Sequence, residues 1–248
     1  MINFENSKFF YDPFPHCLFQ EFLNKDVYNE MCNEFPSLSY FEEIKDKHKN
    51  DNKHNKFRFM NSQESIKSFN KFINTTKATK EFYNYLNSDE FILSIDKFLK
   101  KNGIELRFNN QKSFSAKKFV KNLFSKKLRV DFEFSSIPLD NGYLLPHTDG
   151  GNKLFAMVIP IIDNVKIYNA KNLGTKILKA KTDKYKFNFF NRTVPFEETE
   201  LIRELPFKKN QMSIHLKTYD SLHAVGPIIY KDNGKKLYRK SITVFFLR

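Results

Sequence analysis

The chain has 248 residues, 40% of them hydrophobic, with 29 Phe, no Trp, 2 Cys and a formal net charge of +14. This composition can bury a sizeable core and so excludes a disordered polyelectrolyte, while two Cys are too few for a disulfide framework. No run of about 18 apolar residues occurs, which excludes a spanning helix, and the opening MINFENSKFFYDPFPH lacks the basic start and apolar block of a secretion signal. The expectation is a cytoplasmic protein with no membrane partner, in which Cys17 and Cys32 are reduced structural thiols. Much of the positive charge lies in Lys tracts such as AKKFVKNLFSKKLR and reads as solvated surface, leaving an acidic substrate as the alternative use of the field. No nucleic-acid motif accompanies it, so nucleic acid is not expected as a partner. No feature of the sequence sets an oligomeric state.

In chain order, EFLNKDVYNEMCNEF spaces Phe22, Val27, Met31 and Phe35 as an amphipathic helix would. The charged, Asn-rich run EEIKDKHKNDNKHNK, residues 42–56, predicts a mobile loop with His48 and His54 solvated. ATKEFYNYLNSDEFILSIDKFLKKNG returns to helical spacing, with Ser88 and Asp89 as a break or cap and Gly103 as a stop. From about Ile104 the period becomes two. In LRVDFEF, Leu128, Val130, Phe132 and Phe134 alternate with Arg129, Asp131 and Glu133, the pattern of a strand with one face buried. KLFAMVIPII, GTKILKAK, NQMSIHLK, SLHAVGPI and RKSITVFFLR follow, punctuated by Gly, Pro, Asn and Asp, while KYKFNFFNRTVPFEE reads equally as a lid or a long hairpin. Helices followed by many short strands predict an α+β chain, mainly β, built as an antiparallel sandwich or jelly roll with amino-terminal buttressing helices. The expected organisation is one domain over 1–248, with 1–103 mainly helical support and 104–248 the core.

The stretch LLPHTDGG, Leu144 to Gly151, carries the chemistry. Strand alternation places His147 and Asp149 on one side, with Thr148 pointing away. Two His and one carboxylate on one face leave a divalent metal with open positions, so a further His is needed. His215 sits between Ile214 and Leu216 in an apolar strand and reads as packing. His223 opens a strand followed by a turn on Lys231, Asp232, Asn233 and Gly234, and a hairpin return would bring Arg239 into the same interior. A guanidinium there is costly unless it meets an anion, and Ser241 would share its face.

PHTD, then Gly174 and Thr175 after a polar loop, then SLHAVGPI and RKS occur in the order found in the Fe(II)- and 2-oxoglutarate-dependent dioxygenases, and the chain from about Leu128 resembles their prolyl 4-hydroxylase-like branch. The opening YDPFPH…FLNKDVYNEMCNEFP is similar to the amino-terminal part of bacterial and phage members. The resemblance implies a double-stranded β-helix and an oxygenase that couples oxidative decarboxylation of 2-oxoglutarate, to succinate and CO2, to hydroxylation of a C–H bond with O2. It implies His147, Asp149 and His223 as catalytic iron ligands, Arg239 with Ser241 on the distal carboxylate of 2-oxoglutarate, Tyr143 beside the cosubstrate, and ascorbate as a candidate accessory reductant. The substrate would be a small molecule or a peptidyl residue, with an acidic one included. Asp149 stands where related halogenases leave room for halide, which favours hydroxylation. Phe245 stands where a nucleic-acid demethylase of this superfamily would carry a second Arg. The alternative to an enzyme is a non-catalytic jelly-roll binding module that retains the ligand residues.

Overall fold

The computed structural model describes residues 1–44, 56–106, 128–188, 191–231 and 236–247. From the amino end, strands β1 (Ser7–Phe10) and β2 (His16–Gln20) precede helix α1 (Lys25–Asn33), and β3 (Glu42–Ile44) and β4 (Lys56–Met60) precede α2 (Ile66–Ile73), α3 (Ala78–Leu86) and α4 (Asp89–Lys101). There follow β5 (Arg129–Pro138), β6 (Leu144–His147), β7 (Lys153–Ile161), β8 (Thr175–Ala180), β9 (Thr199–Leu205), β10 (Gln211–Leu216), β11 (His223–Val225) and β12 (Tyr238–Leu247). They form a large sheet in the order β1-β2-β10-β7-β12-β5-β4-β3 and a small one in the order β6-β11-β8-β9. Every pairing is antiparallel, and from β5 onward the chain crosses repeatedly between the sheets. That connectivity is a double-stranded β-helix, a jelly roll with helices added.

The helices form where local chemistry satisfies their ends. The Ser88 side chain accepts from the Phe91 amide at the start of α4, Asp89 and Glu90 occupy its first turn, and Lys100 and Lys101 its last. Gly103, at φ +70°, ends the run as its residue type predicts. Glu34, just beyond α1, caps α3 instead: its carboxylate accepts from the amides of Lys77, Ala78 and Thr79 and from the Thr79 hydroxyl. The first helix is shorter than its apolar spacing suggests. Phe22 lies before it, because Asn24 caps the amino end by accepting from the Asp26 amide, and Phe35 lies past its carboxyl-terminal cap, Glu34.

Strand alternation divides the large sheet into two unlike faces. Val130, Phe132 and Phe134 of β5, Ile242, Val244 and Phe246 of β12, and Phe155, Met157 and Ile159 of β7 join the helices' Phe69, Phe82, Phe91 and Phe98 in one core cluster. Rings meet edge to face, as between Phe72 and Phe134, or stacked, as between Phe91 and Phe246. Asp131 and Glu133, expected on a solvent face, are buried on the other side and line a cavity between the sheets. LRVDFEF is therefore covered on both faces: alternation gives the two-sidedness, but not what covers the polar side.

Several other expectations change. Residues 1–103 supply four strands as well as helices, and these extend both edges of the large sheet, where pairing with β10 and β5 stabilises segments too short to read as strands alone. No hairpin joins β11 to β12, since they lie in opposite sheets. The described residues of KYKFNFFNRTVPFEE pair in no hairpin: a helical turn spans Asp183–Lys186, a 3-10 turn spans Phe196–Glu198, and the Val194 amide between them donates to the Pro146 carbonyl of β6. The expected mobile loop with His48 and His54, most of the AKKFVKNLFSKKLR tract, and the turn residues Asp232, Asn233 and Gly234 lie outside the described residues. Cys17 and Cys32 are free and buried. No helix among the described residues is long and apolar enough to cross a membrane.

Phe134→Ala, at a fully buried ring between α2 and the sheet, is expected to cost about 3–5 kcal/mol, whereas Leu93→Ala, on the exposed side of α4, should stay within about 0.5 kcal/mol. Urea denaturation of both variants checks the assignment of the core face.

Candidate metal centre

Strands β6 and β11 pair antiparallel with His147 opposite His223, and Asp149 follows in the turn after β6. Thr148 points away, as alternation requires, and its hydroxyl donates to the Asn188 carbonyl at 3.1 Å. The ligand atoms of His147, Asp149 and His223 lie within 4.8 Å of one another. His147 Nδ1 donates to the Leu145 carbonyl at 2.8 Å and His223 Nδ1 to the Ser221 carbonyl at 3.0 Å. A carbonyl can only accept, so these bonds put the ring protons on Nδ1 and leave each Nε2 lone pair for the site. Two neutral imidazoles and one carboxylate are a donor set suited to a divalent first-row metal.

The electrostatics favour a neutral His147 and an ionised Asp149. Burial, reinforced by His223, lowers the His147 pKa to about 3, so its ring stays neutral. For Asp149 burial acts in the opposite sense, raising the pKa, but His223, Lys153 and His147 outweigh it and hold the carboxyl below the usual range. Asp149 Oδ1 accepts from Lys153 Nζ at 2.8 Å, and that ammonium also lies 3.2 Å from the centroid of the Phe245 ring.

The cavity has a volume of about 340 Å³ and takes its walls from both sheets. From β12 it receives Arg239, Ser241 and Thr243, and from β5 Glu133 and Ser135. Arg239 is 3% exposed. Its Nε donates to the Leu173 carbonyl at 2.7 Å, its Nη1 to Ser241 Oγ at 3.5 Å, and the guanidinium lies 4.3 Å from the Phe207 ring centroid. Burial lowers its pKa to about 9, partly offset by Glu204, yet no ion pair to a carboxylate forms among the described residues. Thr175, at the start of β8, also lines this space.

The structure thus brings His147, Asp149, His223, Arg239 and Ser241 to one cavity, Arg239 arriving from the sheet opposite His223. Tyr143 is not brought there. The register of β6 with β11 shifts between His223 and Val225, so Leu144 and His147 both line the cavity although they are three positions apart. Tyr143 is not among the residues that line the cavity, and its ring centroid lies 6.5 Å from that of Phe196. His215 is packed, as its apolar neighbours suggest, but on the inner face of β10: its ring centroid is 5.3 Å from that of His223, and neither ring nitrogen has a hydrogen-bond partner. The polar positions of LRVDFEF, read as a wet face, are the signal through which Asp131 and Glu133 could have been assigned to the site.

Burial holds His147, His215 and His16 below the ordinary imidazole range. The unfolded chain therefore binds more protons than the folded one once pH falls below about 6.5, and the metal-free protein should lose stability as pH drops, by up to about 1.4 kcal/mol per pH unit for each excluded proton. Urea midpoints measured between about pH 7 and 5 check this, and His215→Phe should flatten the slope.

No protein-family model matches the chain, and no curated protein matches it. Among solved structures it is similar to a prolyl-4-hydroxylase from Pseudomonas putida, at 10% identity and a TM-score of 0.47, covering 94% of this chain and 92% of that one. It is similar to a prolyl hydroxylase from Trichoplax adhaerens in complex with a hypoxia inducible factor peptide fragment, at 9% identity and a TM-score of 0.48 over 94% and 83% of the two chains. A third similar structure is an Fe(II)/α-ketoglutarate-dependent dioxygenase, TqaL, at 11% identity and a TM-score of 0.38 over 90% and 73%.

Proposed function

We propose that the chain is a single-domain Fe(II)- and 2-oxoglutarate-dependent oxygenase that hydroxylates a C–H bond of a small-molecule or peptidyl substrate. The observation that carries this reading is the convergence of His147, Asp149 and His223 in one cavity with a buried guanidinium, Arg239, that pairs with no carboxylate among the described residues. When bound, iron and 2-oxoglutarate supply the oxidising chemistry: O2 is consumed, 2-oxoglutarate leaves as succinate and CO2, and the substrate gains a hydroxyl.

The chain's own residues do the rest. Carbonyl bonds at Nδ1 lock the two His rings so that each Nε2 is presented as a neutral ligand. Asp149 supplies one anionic ligand, and the small donor set leaves positions open for the cosubstrate and O2. Arg239, steadied by the Leu173 carbonyl and the Phe207 ring, offers its planar fork to the distal carboxylate of 2-oxoglutarate, with the Ser241 hydroxyl beside it. A carboxylate there would relieve the cost of the buried, unpaired cation.

Two measurements test this. His147→Ala, Asp149→Ala and His223→Ala should each weaken Mn(II) binding by more than the roughly 10- to 100-fold that loss of a ligand's outer partner costs, read by calorimetry. Arg239→Ala should weaken 2-oxoglutarate binding by about 2–5 kcal/mol and leave Mn(II) binding intact. Succinate formation with Fe(II), ascorbate and 2-oxoglutarate, absent in the triad variants, identifies the enzyme. Metal and cosubstrate binding without succinate across a broad substrate panel would favour the binding module.

A further inference from the structure

Lys153, on the cavity wall, touches a metal-ligating side chain directly. The path of the chain brings the two together. His147 ends β6 and Lys153 begins β7, so residues 148–152 carry the chain from the small sheet to the large one. The Lys153 amide donates to the Gly150 carbonyl at 3.0 Å, closing a turn that folds Lys153 back on Asp149. Its Nζ donates to Asp149 Oδ1 at 2.8 Å, with both side chains largely enclosed, and lies 3.2 Å from the ring centroid of Phe245 on the neighbouring strand β12. A charge-assisted hydrogen bond gains strength where water is excluded, and the face of the ring attracts the same cation. The ammonium is therefore held from two sides.

What is left of the carboxylate is its other oxygen. Among the described residues Oδ2 accepts no hydrogen bond, and Asp149 itself lines the cavity with His147 and His223. The number of oxygens that Asp149 offers decides how much of a metal ion stays free. A carboxylate that binds an octahedral ion through both oxygens takes up one position more than a carboxylate that binds through one. Turning Oδ1 toward the ion would break its bond to an ammonium that is itself fixed against Phe245.

We propose that Lys153 is a positioning residue: it occupies Oδ1 of Asp149, so that the carboxylate presents Oδ2 alone to the metal and a coordination position stays open for the cosubstrate or O2. This rests on the oxygenase reading above and adds to it an outer partner for the carboxylate ligand, as the Leu145 and Ser221 carbonyls are outer partners for the imidazoles.

The test uses the full chain in excess over Mn(II) and counts the waters bound to the ion, from water-proton relaxation and from broadening of the Mn(II) electron paramagnetic resonance signal in oxygen-17 water. The parent protein should hold about three waters, the number that two imidazoles and one carboxylate oxygen leave on an octahedral ion, whereas Lys153→Met should hold about two and Lys153→Arg should match the parent. Thermal midpoints of the metal-free proteins read any purely structural contribution of the ion pair, which would leave the water count alone. About two waters in the parent would overturn the proposal. So would an equal count in Lys153→Met and the parent, whatever the midpoints, or a Lys153→Arg count that follows Lys153→Met. A parent chain that takes up no Mn(II) would refute the oxygenase reading and the role of Lys153 with it. Mn(II) uptake with the expected counts, but with no bound water displaced by 2-oxoglutarate, would refute the oxygenase reading alone and leave Lys153 as the residue that sets how Asp149 binds the metal.

Discussion

The structure depends on one constraint, the burial of both faces of the large sheet. A strand alternates its side chains, so burying both faces forces a choice of what each one meets. Here one face meets helices through Phe-rich packing, and the other meets the small sheet across a polar cavity. The helices are therefore part of how the site exists. Phe69, Phe82 and Phe91 cover one side of β5, β7 and β12, which frees the opposite side to carry Glu133, Ser241 and Arg239 into the interior.

A polar interior is stable only where its groups are matched, and most are. Lys56 meets Glu133, Lys153 meets Asp149, and both ligand imidazoles donate to nearby backbone carbonyls. Among the described residues the exceptions fall both at the site and away from it. Arg239, on the cavity wall, pairs with no carboxylate, and neither ring nitrogen of His215, whose ring meets that of His223, has a hydrogen-bond partner. His16, Ser136, Arg203 and Gln211 also keep a buried side-chain atom without a hydrogen bond, and none of them lines the cavity. Arg239 is the unpaired cation on the wall beside the metal-ligating atoms, where a ligand's carboxylate would match it.

Legibility in the sequence follows the range of the interaction. The caps at Ser88 and Gly103 are local and readable, as is the pairing of His147 with Asp149 on one face, because each depends on residues a few positions apart. β1 to β4 are not, since they gain their stability from β10 and β5, far along the chain. Resemblance alone places Tyr143 beside the cosubstrate, with no spacing in the sequence to fix it, and it is not among the residues that line the cavity. Arg239 reaches the expected interior through a different connection, because no local signal shows that β11 and β12 enter opposite sheets.

The sequence by itself determined the mainly β character of the second half, the alternation of each strand, and the residues competent to bind a metal and an anion, because these follow from side-chain chemistry and from spacing within single elements. Only the tertiary structure decided that the polar side of LRVDFEF faces a cavity and not water, that the amino-terminal strands complete the large sheet, and that Arg239 enters the cavity from the sheet opposite His223. Those facts depend on which strands pair and in what register. Pairing is a contest among distant segments for the same backbone hydrogen bonds and apolar surface, and its outcome is set by the chain as a whole.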